Sequence, residues 1–99
     1  MTSYIALVRK DPDSDYGVEF PDFPGCVTAT GDLEEAPRLA EEALRFHIEG
    51  LLEDGETLPP PSRLEEVMAS PENREALALL VTLPEMPGRV LAAAARNPV

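Results

Sequence analysis

The chain has 99 residues, enough for one domain with one modest core, and such a core is short of stability unless a face is also buried against a partner; a dimer or tetramer is therefore expected. Its 19 Asp and Glu against 8 Lys and Arg give a net charge of −11, which opposes nucleic-acid phosphates and suits either a plainly solvated surface or one that draws in a basic protein. No run of about eighteen apolar residues occurs, and the start, Met1-Thr-Ser-Tyr4, has no basic segment leading an apolar one, so no membrane span or secretory leader is read and a cytoplasmic location is expected.

The opening segment, Tyr4-Ile-Ala-Leu-Val8, is apolar at every position, as in a central strand covered on both faces. Arg9-Lys10 ends it. Asp11-Pro12-Asp13-Ser14 has the Asp and Pro of a type I turn, so a hairpin joins this strand to the next, in which Tyr16, Val18 and Phe20 alternate with Gly17 and Glu19. Phe23-Pro24-Gly25-Cys26 fits a type II turn, because Pro presets φ near −65° and Gly tolerates the positive φ that follows. A third short strand is expected over residues 26–30. Asp32 and Glu35 then have the spacing of a reciprocal capping box.

From Leu33 the apolar residues Leu33, Ala36, Ala40, Ala43, Leu44 and Leu51 recur at three and four, with Glu34, Arg38, Glu41, Arg45 and Glu49 opposite, which predicts an amphipathic helix on the sheet. Pro37 lacks the N–H that would bond the Leu33 carbonyl, so the first turn should be kinked or the helix should begin late. Asp54-Gly55 closes it with a residue suited to the left-handed cap. Thr57-Leu-Pro-Pro-Pro61 is a stiff spacer, and Ser62 with Glu65 has the capping signature for a short helix over residues 63–69. In Ser70-Pro-Glu-Asn-Arg-Glu-Ala-Leu-Ala-Leu-Leu80, propensity alone favours a helix.

The acidity is uneven. Residues 1–62 hold fourteen Asp and Glu against four Lys and Arg, a net of −10, and residues 63–99 hold five against four, a net of −1. Asp11, Asp13 and Asp15, with Asp22 at the twelfth position, partly match a calcium loop, but Tyr16 stands at the sixth position, where that loop needs Gly. The acidic tip reads instead as solvated or as a patch for a basic partner. His47 lies on the helix's apolar face without a matched acid or second ligand, as a packed or partner-contacting residue would. Phe23, a large aromatic at a turn tip, either folds back on its own core or stands out as an interface anchor. The single Cys26 reads as a small apolar residue at a strand start. No Gly-rich phosphate loop, catalytic triad or zinc spacing is present, so no catalytic residue, metal or cofactor is assigned.

Taken in order, the opening strand, the acidic turn, Phe20-Pro-Asp-Phe-Pro-Gly-Cys26, Gly31-Asp-Leu-Glu-Glu-Ala36, the helix ending near Leu52-Glu-Asp-Gly55 and the Pro-rich link into Leu64-Glu-Glu-Val67 resemble the HicB family of antitoxins, over roughly residues 4–83. Members of that family pair with small HicA toxins in bacterial and archaeal operons. The resemblance implies an α+β fold: three antiparallel strands, a long helix across one face, a short helix and a fourth strand, in a degenerate RNase H-like core without that fold's metal-binding carboxylates. It places the fourth strand over residues 76–83, paired with the first, against the local helical propensity. It also implies an antitoxin rather than an enzyme, one that occludes a small basic HicA-type mRNA-cleaving toxin. Asp11, Asp13, Asp15, Tyr16, Asp22, Phe23 and His47 are the candidate contact residues. A free-standing oligomeric regulator is the alternative of another class, and a remnant nuclease using Asp11, Asp13 and Asp15 with a divalent metal is a third.

Domain boundaries are expected at residues 1–84 for the HicB-like unit and 85–99 for a short tail. Val81-Thr-Leu-Pro-Glu85 looks like the start of a ribbon-helix-helix, but too few residues follow for two helices. Only Arg89 and Arg96 are basic in the tail, so DNA should be bound weakly, or only with the basic toxin present.

Overall fold

The computed structural model describes residues 2–10 and 12–83. Six regular elements follow in chain order: β1 (Thr2–Lys10), β2 (Tyr16–Glu19), β3 (Val27–Thr30), α1 (Ala36–Glu53), α2 (Leu64–Met68) and β4 (Leu77–Leu83). The sheet is antiparallel throughout, in the order β3-β2-β1-β4. β1 is central, and its apolar run is covered on both sides as expected. Tyr4, Ala6 and Val8 face α1, together with Val18, Phe20, Val81 and Leu83, while Ile5 and Leu7 pack on the opposite face against Val67 of α2. Successive residues of a strand point to opposite faces, so a strand buried on both has no polar position to give up.

The helix buries Ala36, Ala40, Leu44 and Ile48, a strict four-residue stripe that keeps small residues near its start and larger ones further on. Pro37 does delay it. A 3-10 turn, Leu33–Glu35, comes first, and the Ala36 N–H donates to the Leu33 carbonyl in place of the bond Pro37 cannot make. This tighter turn displaces the expected capping box: the Asp32 carboxylate accepts the Glu34 N–H at 3.0 Å, and the Glu35 N–H donates to the Asp32 main-chain carbonyl instead. The Glu35 carboxylate, freed from that role, takes Arg38. At the other end Gly55 adopts φ 79°, its N–H donates to the Leu52 carbonyl at 3.1 Å, and the Glu56 N–H donates to the Leu51 carbonyl at 2.9 Å, the paired bonds of a Schellman end.

The second capping expectation also changes. Arg63, not Ser62, stands at the start of α2, and its N–H donates to the Glu66 carboxylate at 3.1 Å. Ser62 is engaged elsewhere, by Asp22. Segment 70–83 divides between its two readings. Ser70 and Pro71 open a single 3-10 turn, Pro71–Asn73, and the chain then runs extended as β4, in register with β1 from Thr2↔Leu83 to Val8↔Leu77. Local propensity is satisfied for one turn only, because a strand here fills the open side of β1 and buries Val81 and Leu83, which a helix could not do. Arg9 holds the junction. Its guanidinium pairs with Glu19 at 2.6 Å and donates to the Glu72 carbonyl at 2.7 Å and to the Asn73 side-chain oxygen.

Candidate partner-binding surface

The type II turn expected at Phe23-Pro24-Gly25-Cys26 forms, with the Cys26 N–H donating to the Phe23 carbonyl at 2.9 Å and Gly25 at φ 91°. It aims the Phe23 ring inward. That ring is 2% exposed and lies edge-on to Tyr4, with centroids 4.7 Å apart, and to His47, 5.8 Å apart. The Tyr4 hydroxyl donates to the Pro59 carbonyl at 2.7 Å, so one aromatic chain joins helix, turn, sheet and Pro-rich link. Burial, with Asp22 nearby as a second cause, raises the Tyr4 pKa above its ordinary value. Asp22 ties the same link to the turn, its carboxylate accepting the Ser62 N–H at 2.8 Å and the Ser62 hydroxyl.

The six described candidates therefore do not form one patch. Asp22, Phe23 and His47 gather at the β2–β3 end, where Asp22 and Phe23 serve the packing of the chain itself. Asp13, Asp15 and Tyr16 lie at the other end of β2, in the β1–β2 hairpin; Asp11 falls outside the described residues. Asp13 and Asp15 are exposed, and Tyr16 is half-buried beneath the Lys10 ammonium, 5.7 Å from the ring centroid. Among the described residues no group of three or more His, Cys, Asp and Glu is placed to hold a metal ion. Cys26 is buried, its thiol donating to the Ala43 carbonyl at 3.6 Å and pushed up to about 11 by burial, so it has little thiolate for chemistry.

Among the described residues, the sheet and the long helix each carry an exposed hollow or groove. On the sheet face away from α1, Gly17 and Val27 floor a shallow hollow between the Arg9–Glu19 pair and Asp15, with Val27 65% exposed. On α1, Phe46 stands 79% exposed above a groove shared with His47, Glu49, Gly50, Glu53 and Asp54. The first half of the helix answers its own charge, since Arg38 pairs with Glu35 and Glu42 and Arg45 pairs with Glu41. The last turn has no basic residue, although the carbonyl end of a helix favours cations. Phe46 was not among the residues singled out from the sequence. Its signal was present: an aromatic off the 36-40-44-48 stripe, with Glu42 and Glu49 four residues before and three after it.

Fold and surface together define a small α+β module with an exposed aromatic, Phe46, beside the carboxylates of Glu49, Glu53 and Asp54. The chain belongs to the family described as HicB-like antitoxins of bacterial toxin–antitoxin systems, whose model matches residues 4–94. It is 44% identical over 78 residues to an uncharacterised 14.9 kDa protein of Haemophilus phage HP1, covering 79% of this chain and 58% of the phage protein. A UPF0150 protein of Thermoplasma acidophilum is 38% identical over 56 residues, 57% of this chain and 81% of that protein. Among solved structures, the antitoxin HicB of Burkholderia pseudomallei is similar over 100% of this chain and 89% of its own, with TM-score 0.76 and 30% identity. A chain of the HicA3 and HicB3 toxin–antitoxin complex is similar over 85% of this chain and 100% of its own, with TM-score 0.71 and 28% identity.

Proposed function

We propose that this chain is an antitoxin that binds a small basic HicA-type RNase and covers its active site, performing no chemistry itself and acting in the cytoplasm, where such a toxin meets mRNA. The observation that carries this reading is the likeness, over 85% of the chain, to a chain of a solved toxin–antitoxin complex. The net of −10 over residues 1–62 supplies the physics. An acidic surface steers a basic protein into encounter and places like charge where the toxin would hold RNA phosphates. Phe46, framed by Glu42 and Glu49, is the apolar anchor of that contact, with His47 beside it; Asp13, Asp15 and Tyr16 form a second, peripheral contact, while Asp22 and Phe23 act from beneath by fixing the turn. Complementary charge sets on-rate and register, and a buried aromatic sets residence time.

The test is co-purification with a basic RNase encoded beside the gene, followed by RNA cleavage assays with and without the chain. The chain should suppress cleavage at equimolar ratio. Association should slow steeply as salt rises, since screening shortens to about 8 Å at physiological ionic strength. Phe46→Ala should weaken the complex by about 2 kcal/mol, roughly 30-fold in Kd. Undiminished cleavage at saturating chain, or an on-rate indifferent to salt, refutes the reading. DNA should be bound weakly by the chain alone, because so few Lys and Arg are present to release phosphate counterions.

A further inference from the structure

Among the described residues the sheet order leaves β3 and β4 each with one open side, and the two edges differ in kind. Natural edges are blunted by shortness, charge, proline or a bulge, because a row of free N–H and C=O groups invites another strand. β3 is four residues long and runs straight into Gly31-Asp32. β4 has none of these protections. Its seven residues, Leu77-Ala-Leu-Leu-Val-Thr-Leu83, include no charge and no proline, and their register with β1 is unbroken from end to end. Leu80 is 71% exposed and Leu77 48% exposed, and among the described residues no strand bonds to the outer side.

Electrostatics selects the occupant. With a net charge of −11, two copies repel wherever their acids face each other, and a stretch without charge is where they can meet. The groove beside the β4 edge, lined by Pro37, Glu41, Leu79, Leu80, Val81 and Thr82, holds one acid, and Glu41 is already paired with Arg45 at 2.9 Å. A basic partner gains little there and much on the acidic faces, whereas a second β4 matches the edge in hydrogen bonds and in apolar side chains.

We propose that β4 pairs antiparallel with β4 of a second copy across a two-fold axis near Leu80, joining two four-stranded sheets into one continuous sheet. Leu80 is the middle residue of the strand, so pairing about it sets Leu79 opposite Val81 of the other copy and Leu77 opposite its Leu83. The two Leu80 side chains then meet on the face that also carries Ile5, away from α1. Directly opposed side chains in antiparallel strands sit about 5 Å apart, close enough to shield both. The expected dimer thereby acquires a location, and it is separate from the surface proposed for the toxin.

The test is light scattering and sedimentation of the full chain at micromolar concentration. The wild type should be a dimer whose affinity holds or rises as salt rises, because screening relieves the repulsion between two acidic copies, the opposite of the salt response expected for the toxin. Leu80→Lys opposes two like charges across the axis and should weaken self-association at least about 10-fold while leaving circular dichroism unchanged, since the position is exposed. Thr82→Lys, on the same exposed edge, should act in the same direction. Phe46→Lys, on the helix, should leave the dimer intact. A monomeric wild type, or a dimer that survives both edge substitutions, overturns the proposal. None of these measurements uses the toxin, so loss of self-association and loss of toxin binding are read separately.

Discussion

Replacing Phe23 decides whether this turn residue is core or anchor. The ring is 2% exposed, and it makes edge contacts with Tyr4 at 4.7 Å and His47 at 5.8 Å, so Phe23→Ala opens a cavity at the junction of sheet, helix and Pro-rich link. Deleting a buried Phe costs about 3–5 kcal/mol, which includes the lost aromatic edges at about 0.5–1.5 kcal/mol each. A domain of this size holds about 5–15 kcal/mol in all, so the variant should be marginal at room temperature. At a slope of about 1.5 kcal/mol per M, the urea midpoint should fall by roughly 2–3 M with the slope unchanged. Phe23→Leu keeps most of the volume and should lose about 1–2 kcal/mol, which leaves a folded protein for binding assays. In that variant the toxin Kd should match the wild type. A Phe23→Ala protein destabilised by less than about 1 kcal/mol but unable to bind toxin would refute the assignment of Phe23 to the core.

Glycine substitutions should separate by backbone conformation. Gly25→Ala, at φ 91° with open space around it, should cost about 1–2 kcal/mol of pure backbone strain, whereas Gly50→Ala, inside α1 with nothing within 4 Å, should stabilise by about 0.5–1 kcal/mol, both read from thermal midpoints. Alkaline stability should follow Cys26 and Tyr4. Cys26 titrates at about 11 in the folded chain against an ordinary value of 9.0, and Tyr4 is raised above 10.0, so both favour the folded state in their neutral forms. That contribution is full below about pH 9 and is lost as pH rises through 11; urea midpoints measured across this range should decline, and native Cys26 should resist alkylation at pH 8. A midpoint that rises above pH 9, or alkylation at the rate of a free thiol, would contradict it.

Features set by neighbours in sequence were legible in sequence. The Phe23-Pro24-Gly25-Cys26 turn, the delay imposed by Pro37 and the Gly55 helix end depend on φ preferences and missing donors that each residue carries wherever it is placed. The apolar run of β1 announced a strand buried on both faces for the same reason, since a fully apolar sequence has no side to offer water. Even so, the capping boxes at Asp32 and Ser62 were misread, because a 3-10 turn in one case and a carboxylate forty positions away in the other took the groups that local spacing had paired. The candidate surface was partly legible. The chain's acidity and the place of His47 on the long helix could be read directly, but Asp22 and Phe23 carry side chains equally suited to a surface or an interior, and only the folded turn turned them inward. Segment 76–83 is the clearest division. Its local propensity favours helix, and the resemblance to HicB antitoxins was needed to read it as a strand, because the free energy that makes it one comes from the open side of β1, more than sixty residues away in sequence and adjacent only after folding. The same closure pointed Phe46 and Leu80 outward, and exposure of that kind is a property of the assembled surface that no residue encodes by itself.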